Sequence, residues 1–239
     1  MQTKSDRVFT AWVNWVQGTI IPLGVKLRLS SRIRNISPPT AHLQTRLSDL
    51  GISIDKIWWG PMTLFPRKAT FLLDTIEADP PTAVLEIGSG TSTPILAALS
   101  HKYGFSVISL ENHPGSIDYV KSLLRCVPGG SDVRLALCGF ARRSYPDGKK
   151  YYWYDIDLGS YDKLFDLVLI DGPMSSLVGR NGALPEIAPY LAADNRIYLD
   201  DATRYHERKC LREWKHYFPN LTVPDIQTCR GVAIMHLKQ

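Results

Sequence analysis

Between residues 83 and 101 an unbroken β-forming run, Ala83-Val84-Leu85-Glu86-Ile87, passes through Gly88-Ser89-Gly90 and, from Pro94, enters a stretch of helical character. This strand, glycine turn and helix constrain the fold more than any other feature. Two glycines in three residues allow a tight turn and a close approach of backbone to a ligand. The helix N-terminus behind them favours polar or anionic groups.

The rest of the chain continues the alternation. Residues 68–77 carry Ala69, Leu72, Leu73 and Ile76 at helical spacing, and Asp79-Pro80-Pro81 ends that helix before the first strand. Further strands are expected at 107–110, 133–137, 167–170 and 197–199, with helices at 116–125 and 205–217 and late strands at 221–223 and 231–237. Residues 167–170 are wholly apolar β-formers, as a strand covered on both faces requires. Strands alternating with helices predict an α/β fold with a mostly parallel sheet wound on both sides. Ligands on such sheets bind at the carboxyl ends of the strands. With 239 residues and 44% hydrophobic content, one main domain can bury a full core.

Charge and cysteine usage narrow the function. The net charge is +5, but seven basic residues up to Arg46 face one acid, Asp6, so the remainder is close to neutral. That argues against a phosphate-binding face on the main body and for a small-molecule substrate over nucleic acid. Cys126, Cys138, Cys210 and Cys229 form no CxxC pair and no regular spacing, which fits a reducing, cytoplasmic setting. Residues 8–25 are uncharged and rich in Trp12, Trp15, Ile20 and Ile21, and a basic run, 26–34, follows. Two readings fit this segment: a helix packed on the body or on a second subunit, and peripheral contact with a membrane surface. Asn14, Gln17, Gly18 and Pro22 interrupt it, leaving it short of the roughly 20 apolar residues that span a bilayer. No small-residue cleavage site follows it cleanly, against a signal peptide. Ser37-Pro38-Pro39-Thr40 breaks the pattern. We expect residues 1–57 to form a basic, apolar helical extension and 58–239 the main domain.

Glu86 stands two residues before Gly88. A dinucleotide fingerprint has no need of an acid there, and it asks for a third glycine where Thr93 stands. The segment Glu86-Ile87-Gly88-Ser89-Gly90-Thr91-Ser92-Thr93 resembles motif I of class I S-adenosylmethionine-dependent methyltransferases, an acid followed by G-x-G-x-G, with Ser92 in the place of the last glycine. Glu111 follows Gly90 by 21 positions at the end of the second strand, where an acid can accept hydrogen bonds from ribose hydroxyls. The resemblance implies a Rossmann-like, doubly wound, seven-stranded sheet and S-adenosylmethionine as cofactor. It makes Glu86, Gly88, Ser89, Gly90, Thr91, Ser92, Thr93 and Glu111 its binding residues, with Asn112 and His113 bordering the pocket.

Phe165-Asp166-Leu167-Val168-Leu169-Ile170-Asp171 is similar to the family's fourth-strand motif, which puts Asp171 beside the methyl donor. Asp166 suits a structural role at the start of that strand. The next strand delivers Asp200 and Asp201, and three converging carboxylates call for a positive partner. One candidate is Mg2+ on Asp171, Asp200 and Asp201, as in catechol O-methyltransferase-like enzymes, which carry asparagine where Asp201 stands. The other is compensation by Arg180, Arg204 or Arg208, with Asp171 or Asp201 accepting a proton from the methyl acceptor. Helix capping by Asp200 or Asp201 is a third role. Arg180 lies on the loop where an acceptor would bind, Trp58-Trp59-Gly60-Pro61-Met62 could wall it, and His206 and Glu207 follow close behind. The implied activity is methylation of a hydroxyl on a small molecule or sugar. Two alternatives remain: a nicotinamide-dependent oxidoreductase, and a non-catalytic cofactor-binding module recruited to a membrane or partner by its extension.

Overall fold

The computed structural model describes residues 2–20, 38–57, 59, 64–224 and 231–238. Helix α1 (Lys4–Trp15) starts at a capping box in which the Thr3 hydroxyl accepts from the Asp6 amide and Asp6 accepts from the Thr3 amide, and it continues as a π-helical turn, Val16–Ile20. Helices α2 (Ala41–Asp49) and α3 (Pro66–Ala78) precede the sheet. Then follow β1 (Ala83–Ile87), α4 (Ser92–Tyr103), β2 (Ser106–Glu111), α5 (Pro114–Leu124) and β3 (Arg134–Leu137). A hairpin, β4 (Phe140–Ser144) and β5 (Lys150–Tyr154), stands apart from the main sheet. The chain closes with β6 (Phe165–Ile170), α6 (Ala183–Ile187), β7 (Leu191–Leu199), α7 (Tyr205–Tyr217), β8 (Leu221–Thr222) and β9 (Ala233–Leu237).

Seven strands form one sheet in the order β3-β2-β1-β6-β7-β9-β8. The first five are parallel; of the two late strands, whose direction the sequence did not show, β9 pairs antiparallel with both β7 and β8. The doubly wound, mostly parallel sheet with an N-terminal helix is therefore the fold expected. All five residues of β1 are buried, and successive side chains enter different layers: Val84 packs with α3 and α4, Leu85 and Ile87 with the hairpin and α7. Asp166 ties the starts of two strands by accepting from the amides of Thr82 and Ala83 at 2.7 and 2.9 Å.

The hairpin was not foreseen. Its second strand carries four consecutive aromatics, Tyr151 to Tyr154, three of them buried, and α1 closes over the hairpin: Phe9 stacks on Tyr152 at 3.8 Å, and the Phe140 amide donates to Thr10 at 2.8 Å.

Strand order reverses between β1 and β6, and at such a switch point the flanking loops part into a crevice. Ile87 pairs with Leu110 on one side and Ile170 on the other, and Ile170 with Leu199. Gly88, Glu111, Asp171 and Asp200 thus leave four adjacent strands at one level.

Candidate active site

Beyond β1 the chain turns at Gly88, whose φ is +95°. A Cβ there would lie 2.6 Å from the Gly172 amide nitrogen, so the loops after β1 and β6 meet backbone to backbone and only glycine fits. Above them lies a cleft of about 440 Å³, lined by Gly88, Ser89, Gly90, Thr91, Ser92 and Asp171 on one side and His113, Gly115, Ser116 and Tyr119 on the other. A Cβ at Gly90 would meet nothing within 4 Å, so the loop presents bare backbone there.

Glu86 lies beneath this loop and is 1% exposed. Ser92 donates to its Oε1 at 2.5 Å, and Ser109 and Thr93 donate to Oε2 at 2.5 and 2.7 Å. The Gly90 amide in turn donates to the Thr93 hydroxyl at 3.0 Å. Burial raises the carboxyl's pKa and the three hydroxyls oppose that rise. Glu86, Ser92 and Thr93 therefore set the shape of the loop from below. Thr91 ties it sideways, accepting from the Leu64 amide at 2.9 Å.

Glu111, 7% exposed, accepts from the amides of Asn112 and His113 at 2.7 and 2.8 Å through Oε1. Among the described residues its Oε2 has the Ser89 hydroxyl alone, at 3.5 Å. Burial pushes its pKa up to about 7, against the pull of the two amides, and the charge of Glu86 adds to the rise. Asn112 faces the other way: its amide donates to Asn14 at 3.0 Å and to Gln17 at 2.6 Å, fastening the N-terminal segment to the rim of the cleft.

Asp171, Asp200 and Asp201 do converge, with one oxygen of each within 4.8 Å of the others. Positive groups already pair with each of them. Arg180, 4% exposed, donates to Asp171 Oδ1 at 2.8 Å, to the Asp200 carbonyl at 2.9 Å, and to the Asp171 carbonyl. Behind it, Glu207 lies 3.7 Å away and accepts from Ser175 at 2.5 Å. Arg204 meets Asp201 Oδ2 at 2.7 Å. Lys68, from the first turn of α3, is 4% exposed and donates to Asp200 Oδ1 and, at 3.2 Å, to Asp201 Oδ1.

Confinement by protein and the charges of Asp200 and Asp201 push Asp171 up to about 7, while Arg180 and Lys68 pull it down. Half of its side chain, 51%, faces the open cleft, where solvent screens part of that rise. The oxygen-only cluster suits magnesium in donor chemistry. It suits it less well in charge, because an ammonium and two guanidiniums already pair the three carboxylates, with Glu207 as a further acid behind Arg180.

Sequence reasoning missed Lys68 as a site residue. Its signal was spacing: Lys68 precedes Leu72 by one helical turn and so shares the buried face of α3. Trp59 packs against the core, its indole nitrogen buried without a partner among the described residues; the rest of the 58–62 segment lies outside them.

No protein-family model matches the sequence, and no curated protein matches it. Solved structures do match in fold. An O-methyltransferase from Bacillus cereus in complex with SAH aligns at 17% identity over 98% of this chain and 100% of its own, with a TM-score of 0.55. An SAH-bound methyltransferase from Podospora anserina aligns at 17% over 86% and 92%, with a TM-score of 0.54. A methyltransferase from Geobacter sulfurreducens aligns at 14% over 90% and 96%, with a TM-score of 0.52. The fold of this chain is the one these methyltransferases share, as the resemblance of its glycine loop implied.

Proposed function

We propose that the chain is an S-adenosylmethionine-dependent methyltransferase acting on a hydroxyl of a small molecule. The observation that carries the reading is the crevice at the strand reversal, where a glycine-only backbone contact is flanked by Glu111 on one side and Asp171 on the other. Glu111 Oε2, with one long contact, suits ribose hydroxyls. Gly88, Ser89 and Gly90 offer backbone to the methionine end, held in shape by Glu86, Ser92 and Thr93. When bound, the cofactor supplies a methyl group activated by its sulfonium.

The chain's own part is orientation and proton acceptance. Arg180 fixes one oxygen of Asp171 and leaves the second for the acceptor's hydroxyl proton. Asp201, held between Lys68 and Arg204, supports the site from the side. A nicotinamide cofactor suits the loop less well: Thr93 stands at the third glycine position of that fingerprint, with its hydroxyl committed to Glu86.

Calorimetric titration with S-adenosylhomocysteine and with NAD, on wild type and on Glu111→Ala, tests the assignment. The expected result is S-adenosylhomocysteine binding that the substitution weakens and no heat from NAD. Binding of NAD in place of S-adenosylhomocysteine would overturn it.

A further inference from the structure

We propose that Lys68 occupies the position a divalent ion would take among the strand-end aspartates, so that this site works without a bound metal and uses the lysine as its built-in cation. Three observations carry this. The Lys68 ammonium reaches one oxygen each of Asp200 and Asp201, two of the three residues whose oxygens cluster within 4.8 Å. The third, Asp171, is claimed by Arg180 at 2.8 Å, and the outer oxygen of Asp201 by Arg204 at 2.7 Å. Three carboxylates thus face three cations. A divalent ion entering the cluster would have to displace an ammonium that is 4% exposed and that, among the described residues, has Asp200 and Asp201 as its partners. A buried ammonium deprived of its carboxylates is strongly unfavourable.

Lys68 is not sealed away from the chemistry. It lines a small hollow with Asp171 and Asp200 that shares Leu64, Gly88, Ser92 and Asp171 with the cofactor cleft. Its charge therefore bears on an acceptor oxygen there, and together with Arg204 it balances Asp200 and Asp201, leaving the Asp171 oxygen that Arg180 does not hold to take the proton. The placement of the acceptor rests on the reading of the cleft given above; the exclusion of metal does not.

The test is a Mn2+ titration of the full chain followed by electron paramagnetic resonance. Wild type is expected to leave Mn2+ free. Lys68→Met, which keeps the length of the side chain and removes its charge, is expected to bind one Mn2+, and Lys68→Met with Asp200→Asn to lose it again. Lys68→Arg keeps the charge, guards against loss of fold, and should behave as wild type. Stoichiometric Mn2+ on wild type that disappears with Asp200→Asn would overturn the proposal, as would a folded Lys68→Met that binds none. Failure of S-adenosylhomocysteine to bind would sink the cofactor reading and leave the metal result standing.

A separate observation concerns α1. Its inner face is fixed to the hairpin and to Asn112, while Val8, Trp12 and Trp15, at one-turn intervals, are 64%, 47% and 56% exposed. Lys4 and Arg7 flank this stripe, the only acid of the helix, Asp6, is buried in its cap, and the next four charged residues in sequence are Lys26, Arg28, Arg32 and Arg34. Aromatic side chains with Lys4 and Arg7 on the same helix, in a basic stretch of sequence, suit the headgroup layer of an anionic lipid surface. We infer that this face rests on such a surface. Cosedimentation of the full chain with phosphatidylglycerol-containing vesicles, and not with phosphatidylcholine alone, is expected. Trp12→Ala with Trp15→Ala should abolish it without altering S-adenosylhomocysteine affinity. Equal partition to both vesicle types, or a dimer in solution that the double substitution dissociates, would overturn the inference.

Discussion

Glu86 and Glu111 on one side of Gly88, and Asp171, Asp200 and Asp201 on the other, are carboxylates gathered at the ends of four neighbouring strands, yet they are stabilised by different means. On the proposed cofactor side the partners are hydroxyls and backbone amides: three hydroxyls around Glu86, two amides on Glu111. On the acceptor side the partners are Lys68, Arg180 and Arg204. Neutral donors orient a carboxylate without cancelling its charge, which suits the proposed role of Glu111 in accepting hydrogen bonds from a nucleoside. Cations cancel charge, which suits a cluster in which one acid must act alone.

The largest effect should come from Asp171→Asn. Removing a positioned proton acceptor costs about 10²- to 10⁴-fold in turnover, while affinity for S-adenosylhomocysteine should stay within a few-fold. Because a base works in its ionised form, wild-type turnover should rise with pH through about 7 and level off above it. Unchanged turnover in the variant would end the assignment.

Glu111→Gln comes next. A hydrogen bond to a charged group contributes about 1.5–3 kcal/mol, so affinity should fall about 10- to 100-fold. The pH response separates it from Asp171. Ribose hydroxyls donate to the ionised carboxylate, and in the empty cleft that form is reached only near pH 7. S-adenosylhomocysteine should therefore bind more tightly as pH rises to about 7 and no more tightly beyond it, and Glu111→Gln should flatten the profile.

How legible the two sides were in the sequence differs in the same way. Gly88, Gly90, Glu111 and the strand-end aspartates are local signals, each fixed by its distance from the end of an apolar run, and the parallel register carries all of them to one level. The cations that balance the aspartates are not local. Arg180 and Arg204 stood close enough in sequence to be suspected, but Lys68 comes from a helix that precedes the whole sheet, 132 positions from Asp200. A single lysine on an apolar face signals burial and nothing about which acids it meets. The hairpin escaped for a related reason. In Lys150-Tyr151-Tyr152-Trp153-Tyr154 the aromatics serve both the core and the face under α1, so no clean alternation appears. Docking of Asn14 and Gln17 on Asn112 has no local signature at all.

Stability measurements sharpen the comparison at its small end. Ser109→Ala deletes one of three donors to a carboxylate that is 1% exposed, and leaving a buried charge short of a partner costs about 1–3 kcal/mol. Its unfolding midpoint in urea should drop accordingly and respond little to salt. Arg204→Ala removes an ion pair whose arginine is 52% exposed, and exposed pairs contribute about 0–1 kcal/mol. Moreover, Asp201 keeps Lys68, so no carboxylate is stranded. The expected shift is the smallest of the series, and it should shrink further as salt screens the pair in wild type. A loss from Arg204→Ala as large as that from Ser109→Ala would mean that the acceptor-side carboxylates depend on every one of their cations, and that neutralisation there is as tightly tuned as the hydroxyl cage around Glu86.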